Sequence, residues 1–438
     1  MPSVCLKTFG CKLNQAETGM ISLQFQERGY RIVPSTETSC DVMVVNTCTV
    51  TGRSDAKCRR VIRHALRENP NVTIVVTGCM AQVDADTVSK LAGVDYVLGV
   101  DEKHRIFDFF HSPGKRAVPL ISVSPVTGLK QARSQASDNP TRTRAYLKIQ
   151  DGCSNRCAYC IVPIARGPSR SVPMSNVLKQ AEQLVRDGYK EIVLTGVHIG
   201  MYGKEKDGRS ALPELLRQLI PVIPDGRIRL SSLDPEDLTD ELIETIAETD
   251  RVCRHFHIPL QSGSDAMLTV MDRMTTIQAF RSKIDVLVRT FGQIGLGTDV
   301  IVGFPGESDI HFRETEQLIH ELPFSYLHVF PYSIRPGTQA AAMSGHLPSR
   351  VRVMRARCLR ELGHQKHNIF FRAWLGREVN VLVENVRKDG CAEGLTSEYL
   401  RVVIPKAFGE PNRFVRTVIT SLDDEHIIGQ ICDATQST

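Results

Sequence analysis

Short apolar runs alternate with helical periodicities along most of the chain. Up to about residue 110, VCLKTFG, DVMVVN, VTIVVTG and DYVLG read as strands, and the segments beginning near Asn14, Ser54, Asp84 and Asp101 read as helices. This alternation predicts βαβ units and a largely parallel sheet. The pattern lapses over residues 111–144, where Pro, Ser, Thr and basic residues predominate as in a linker. It resumes with AYLKIQ, EIVLTG, RIRLSS, HFHIPLQ, LGTDVIVGF and FSYLHVFPY, separated by helix candidates at 175–187, 238–248, 277–290 and 310–322. Six β/α repeats fit a partial or complete βα barrel, or a doubly wound sheet, and periodicity does not choose between them. A long helix is expected over 349–374. Beyond Gly376, REVNVLVENV, YLRVVIP, RFVRTVITSL and HIIGQIC predict a small β-barrel or sandwich of roughly 60 residues, near the lower limit for independent folding.

The expected organisation is therefore an open parallel α/β domain (1–110), a basic linker (111–144), a β/α-repeat domain (145–374) and an all-β domain (375–438). A length of 438 residues agrees with two or three domains. Hydrophobic residues at 42% and charged residues at 24% exclude a largely disordered chain. No apolar run is long enough for a membrane span, and MPSVCLKTFG has neither the basic flank nor the apolar core of a signal peptide. A cytoplasmic location is the expectation.

Charge and cysteine content sharpen this. The net charge of +5 permits an anionic partner without requiring one. The linker carries Lys115, Arg116, Lys130, Arg133, Arg142 and Arg144 against Asp138 alone. The 349–374 helix carries seven Lys and Arg against Glu361, whereas residues 370–438 hold eight Lys and Arg against ten Asp and Glu. Thirteen cysteines are many for a compartment that keeps thiols reduced, so metal or cluster binding is favoured over disulfides.

Three of these cysteines, Cys153, Cys157 and Cys160, lie in DGCSNRCAYC directly after a predicted strand. Three thiolates in one loop can hold three irons of a cubane cluster and leave the fourth iron open. A structural zinc site needs a fourth ligand, and none is obvious nearby. Cys11, Cys48 and Cys79 each fall just past a predicted strand, in FGC, NTC and TGC. Parallel strands bring their carboxyl ends to one edge, where ligands bind. These three therefore either meet around a second cluster or pack as buried apolar residues. Core packing or incidental surface thiols account for Cys5, Cys40, Cys58, Cys253, Cys358, Cys391 and Cys432.

The CxxxCxxC loop with Tyr159 before its third cysteine resembles that of the radical S-adenosylmethionine (SAM) enzymes. TFGCKLNQAE, VVNTCTV and VTGCMAQ resemble the amino-terminal signatures of the methylthiotransferases. KIQDGCSNRCAYCIVPIARGPSRS, HIPLQSGSDAML, VIVGFPGE and FPYSIRPGT extend the likeness over nearly the whole chain apart from the linker. The resemblance implies a partial (β/α)6 radical-SAM barrel and a carboxy-terminal TRAM domain, a small RNA-binding barrel. It implies two [4Fe-4S] clusters, one on Cys153, Cys157 and Cys160 that binds SAM and yields a 5′-deoxyadenosyl radical. The other, on Cys11, Cys48 and Cys79, delivers sulfur, while a second SAM supplies the methyl group. Tyr159, Gly196, Gln261, Ser262 and Gly303 are the expected SAM contacts, although each glycine is equally explained by a tight βα turn. Arg166 and Arg170 pair with carboxylate or phosphate, or form a solvated surface pair. His198 faces substrate or is a hydrogen-bonded structural residue.

Three substrates are known to that family: isopentenyl-type adenosine in tRNA, threonylcarbamoyladenosine at the same place, and an aspartate of a ribosomal protein. TGVHIGMYG after the second barrel strand resembles the threonylcarbamoyl branch. The implied partners are a tRNA anticodon stem-loop and a low-potential electron donor. A non-catalytic iron–sulfur RNA-binding protein is the alternative from another class, and the six ligand cysteines argue against it.

Overall fold

A computed structural model describes residues 1–34, 37, 40–49, 52–129, 131–134, 143–405, 411–422 and 427–432. The amino-terminal sheet is parallel throughout, in the order β2-β1-β3-β4-β5-β6: β1 Ser3–Thr8, β2 Arg31–Val33, β3 Val42–Thr47, β4 Thr73–Gly78, β5 Val94–Leu98 and β6 Leu120–Ser122. Every residue of β3, β4 and β5 is buried, as expected where helices cover both faces. Those helices include α1 Lys12–Glu27, α2 Gly52–Glu68, α3 Cys79–Val83 and α4 Ala85–Ser89. Cys5, Cys40 and Cys58 pack in this core, as expected of spare thiols.

The segment read as a linker contributes β6, whose Leu120, Ile121 and Ser122 pair with Tyr96, Val97 and Leu98. Three residues are too few for an alternation to register, and the strand exists because the neighbouring edge lies open to it. Lys115 is anchored on Asp95 at 2.7 Å. Lys130, Asp138 and Arg142 lie outside the described residues.

The central domain carries β7 Arg144–Lys148, β8 Gln150–Asp151, β9 Arg170–Ser171, β10 Glu191–Thr195, β11 Arg227–Leu230, β12 His255–His257, β13 Gly295–Val302 and β14 Tyr326–Pro331. Two parallel sheets, β11-β10-β7 and β12-β13-β14, meet at the bridge between Ile228 and Val252. Six strands thus follow one another in chain order. Among the described residues β7 and β14 do not pair with each other, so the barrel is open on that side. The antiparallel pair β8–β9 joins Gln150 to Ser171 and Asp151 to Arg170, tying together both ends of the cysteine loop and of α5 Val162–Arg166.

The long helix Ser349–Arg372 packs on β14, with Arg355 buried against Glu307. A closed barrel follows in the order β15-β16-β17-β19-β18: β15 Glu378–Val386, β16 Ala392–Leu395, β17 Arg401–Ile404, β18 Phe414–Leu422 and β19 Ile427–Ile431. Only β16, with the sequence AEGL, has no counterpart among the expected strands. This barrel seats its 395–399 turn against the amino-terminal ends of the central strands. Buried Arg229 donates to Thr396 and Ser397 carbonyls at 2.9 Å, and Arg227 donates to Leu395 O at 2.8 Å. Both arginines pair with the one buried carboxylate of Glu191, and Tyr399 stacks on His255 with ring centroids 4.3 Å apart. No helix among the described residues is long and apolar enough to cross a membrane.

Candidate active site at two cysteine-bearing strand edges

The carboxyl ends of β1, β3 and β4 are level, because Thr8 pairs with Asn46 and Thr47 with Gly78. Cys11 immediately precedes α1, Cys48 follows β3, and Cys79 begins α3, so the fold brings the three to one edge. Two glycines shape the edge. Gly10 takes φ +99°, and a Cβ there would lie 2.5 Å from Cys48 Cβ and 2.8 Å from its Sγ; Gly78, at φ +93°, leaves no room beside Thr47 O. Asn14 clamps the turns by donating to Phe9 O at 2.7 Å and to Thr47 O at 3.0 Å.

Arg166, at the end of α5, links this edge to the central barrel. Its Nε lies 3.3 Å from Cys79 Sγ, and its remaining nitrogens bond Glu17, Asp151 and Asn14 at 2.7–2.9 Å. Lys103 and Lys148 also bind Glu17, Lys148 binds Asp151, and Arg170 lies 3.8 Å from Asp151. All six of these charged side chains are buried. Burial opposes each charge. The opposite charges nevertheless hold Arg166 protonated and keep the Glu17 carboxyl well below its usual range. Arg166 and Arg170 are thus a carboxylate-paired interior element and not a solvated pair. Four cations meet only two carboxylates, a local surplus that suits an anionic group held by the neighbouring sulfurs.

On the barrel side, Cys153 N donates to Gly167 O at 3.0 Å and Cys160 N to Cys157 O at 2.9 Å, which fixes the second cysteine loop. Burial raises the Cys157 thiol and pushes Cys160 up to about 12. Such thiols become thiolates readily only when a metal replaces the proton. Arg273 lies 3.7 Å from Cys157 Sγ while gripping Asp234 with both nitrogens, at 3.1 and 2.9 Å. His198 Nδ1 is 4.0 Å from Cys153 Sγ, and its Nε2 meets Asp237. Burial disfavours its charge, yet the bonds to Asp237 and Cys153 raise it to about 10. A polar cavity of about 400 Å³ opens here, bordered by Cys157, His198, Asp234, Asp237 and Arg273.

A second cavity of about 180 Å³ lies inside the barrel and brings together Tyr159, Cys160, Gln261, Asp299, Ile301 and Phe330. Gln261 adopts φ +67°, a costly conformation for a side-chain-bearing residue, secured by bonds from its N to Asp299 O and from Ile301 N to its O. The other expected SAM contacts are placed elsewhere. Gly196 backs onto Gln150, whose Oε1 would be 2.8 Å from an added Cβ, and Gly303 lies beneath the Arg352 stem. Ser262 is buried against Thr315, with 3.4 Å between their hydroxyls.

Sequence reasoning did not single out Glu17, Asp234, Arg273 or the chain behind Asp299. One Asp299 oxygen takes His257 Nε2 at 3.0 Å and His328 Nδ1 at 3.1 Å; His257 Nδ1 reaches Tyr326 OH at 3.0 Å, and that hydroxyl meets His255 at 2.8 Å. HFH on one strand and HVF two strands later carried the only signal, two histidines on one face at period two.

Residues 3–99 match the family described as uncharacterized protein family UPF0004, and residues 147–319 match the radical SAM superfamily. The threonylcarbamoyladenosine tRNA methylthiotransferase MtaB of Bacillus subtilis (strain 168) is 40% identical over 92% of this chain and 90% of its own length. The protein of that name from Thermotoga maritima is 36% identical over 98% of this chain and 96% of its own. A tRNA-2-methylthio-N(6)-dimethylallyladenosine synthase from Methylacidiphilum infernorum is 33% identical over 93% and 90%. Among solved structures, the radical SAM methyltransferase TsrM of Kitasatospora setae superposes with a TM-score of 0.56 at 14% identity, covering 78% of this chain and 77% of that one; this likeness shows fold alone. Level strand ends that gather three cysteines, a second cysteine loop over a six-stranded open barrel, and end-to-end identity to these relatives together make the chain a member of the radical-SAM methylthiotransferase family.

Proposed function

We propose that this enzyme converts N6-threonylcarbamoyladenosine at position 37 of tRNA, next to the anticodon, to its 2-methylthio derivative. The observation that carries this reading is the 36–40% identity, over nearly the full chain, to relatives named for that activity. Relatives named for the dimethylallyl product are 31–33% identical.

Cys153, Cys157 and Cys160 would hold a [4Fe-4S] cluster with SAM at its open iron, and Cys11, Cys48 and Cys79 a second. When bound, these groups supply one-electron SAM cleavage, hydrogen abstraction from an unreactive carbon, and the sulfur and methyl that replace it. An electron donor of low potential and a tRNA anticodon stem-loop are the required partners.

The chain's own residues position these groups. The β8–β9 pair pins the radical-site loop, and the Gly10 and Gly78 turns pin the sulfur-donor edge. Arg166 joins the two, so the sites keep a fixed relation. Tyr159, Gln261 and Ile301 wall the cavity beside Cys160, where bound SAM and substrate would displace water from the reacting atoms. No side chain is given an acid–base role, because hydrogen-atom abstraction needs none.

The test is mass spectrometry of tRNA nucleosides from cells lacking the protein. The 2-methylthio-threonylcarbamoyl nucleoside should vanish, return with the wild-type gene, and stay absent with Cys153→Ala. An unchanged nucleoside would sink the substrate assignment and turn attention to the isopentenyl product and the ribosomal aspartate.

A further inference from the structure

A groove of about 480 Å³ runs between α2 and the long helix Ser349–Arg372, with Phe330, Pro331, Tyr332 and Ser333 along its bottom. All four of those residues also border the cavity beside Cys160, so groove and cavity adjoin. Among the described residues the groove's charged lining is entirely cationic: Lys57 from α2, and Arg352 and Arg360 from the long helix.

The two arginines are held in place by backbone rather than by acids. Arg352 donates to Tyr332 O at 2.6 Å, and its stem lies over Gly303, which has no Cβ to displace it. Arg352 Nε is buried without a partner. Arg360 donates to Val329 O at 3.0 Å. Among the described residues no carboxylate pairs with Lys57, Arg352 or Arg360. Beyond the groove, exposed Arg60, Arg63 and Arg67 continue along α2, and Arg350 and Arg357 continue along the long helix. The acids on these described faces are engaged locally, Glu361 by Arg357 at 3.0 Å and Glu68 by His64. At the groove bottom Phe330 is 38% exposed, an aromatic face at the mouth of the cavity.

The terminal β-barrel offers the opposite picture. Its sequence is net acidic, and Arg387, Arg401 and Arg416 are paired with Glu393, Glu384 and Glu378. Phosphate contacts supply most sequence-independent RNA affinity and set register, while aromatic faces accept unstacked bases.

We propose that the α2–long-helix groove is where the substrate RNA backbone binds, with phosphates on Lys57, Arg352 and Arg360 and the target base passing over Phe330 into the cavity. This rests on the reading of tRNA as substrate and places its grip at the cavity mouth, away from the β-barrel.

The test uses the reconstituted full-length protein and a labelled anticodon stem-loop RNA, with affinity measured between 50 and 200 mM KCl, a range chosen for its leverage on phosphate contacts. Lys57→Glu, Arg360→Gln and their combination are compared with Arg401→Glu in the β-barrel, and iron content and melting temperature serve as folding controls. Each groove substitution should lower the slope of log K against log salt by about 0.7–0.9, and the double variant by about twice that, whereas Arg401→Glu leaves it unchanged. Lys57 is exposed on its helix, so its variant stays informative if the arginine variant misfolds. Equal affinity and slope in wild type and groove variants overturns the proposal, as does loss confined to Arg401→Glu. A wild type that binds no RNA removes both this site and the tRNA reading; one that binds while the variants are indifferent removes the groove alone.

Discussion

Replacing Arg166 with methionine keeps the apolar stem of the side chain and removes its charge and five hydrogen-bond contacts. Two consequences can be sized. Breaking a buried ion network costs about 3–5 kcal/mol, because Glu17 and Asp151 lose a partner without regaining water. The second is electrostatic. A unit charge 3.3 Å from Cys79 Sγ interacts with a charge on that sulfur by about 5 kcal/mol at an effective dielectric near 20. An electron added to a cluster is spread over irons and sulfides farther away, so about 2 kcal/mol is a reasonable share. For a one-electron couple this is about 90 mV. The cluster proposed for the amino-terminal edge should therefore be harder to reduce in Arg166→Met by about that amount, since a cation favours the more negative state. Potentiometric titration followed by electron paramagnetic resonance measures it, in a Cys153→Ala background that leaves only this cluster. A potential within about 30 mV of wild type, a factor of about three in equilibrium constant, would refute the reasoning.

Three other outcomes are expected. Gly10→Ala drives a methyl into Cys48, so the reconstituted protein should keep about four of the eight irons that two cubanes require, whereas Cys58→Ser keeps all of them. Equal iron in both variants would remove Cys48 as a ligand. Glu191→Gln should cost about 3–5 kcal/mol at neutral pH by leaving Arg227 and Arg229 buried without their carboxylate. Burial opposes the Glu191 charge, but Arg229 and Arg227 hold its carboxyl well below the usual range. Its stabilisation is thus complete above the unfolded value of about 4.3 and is lost as pH falls through the folded one. The gap in melting temperature between wild type and variant should be constant above about pH 5 and shrink in stronger acid; a gap independent of pH would contradict this. Finally, Tyr326→Phe deletes the hydroxyl shared by His255 and His257, and should lower the melting temperature without changing iron content. Loss of iron would show that this chain acts on the cluster.

Much of this architecture was legible in the one-dimensional pattern, because strands buried on both faces write themselves as continuous apolar runs. VMVVNT and TIVVTG carried the amino-terminal sheet, and the cysteines after them carried the strand-edge site. Elements that exist through their neighbours left no such mark. β6 forms because β5 offers an edge, and AEGL becomes a strand only between β15 and β17. The buried charges were hidden for a related reason. Arg166 in ARGPSRS and Glu17 in LNQAE look like ordinary surface residues, and their partners lie 149 positions apart. No local window contains both ends of that contact. Gly303 shows the converse difficulty, since a strand-end glycine reads the same whether its missing Cβ makes room for a cofactor or for the arginine stem that lies over it.

The turn at 395–399 gives the terminal β-barrel a second occupation. Arg227 and Arg229 on β11 and His255 at the start of β12 are all met by this one turn. Gly295, at the start of β13, packs so closely on Glu398 O that a methyl would overlap it at 2.0 Å. The turn corks the end of the central barrel opposite the cysteines; Tyr399 stacks on His255, and from there hydrogen bonds run through Tyr326 and His257 to Asp299 in the cavity wall. A chain cut before residue 375 is consequently an uncorked vessel, with Glu191 and its arginines opened to water. Lost activity in such a truncation would report a flooded interior as much as a missing hold on RNA, and only point changes on the outer face of the β-barrel separate the two.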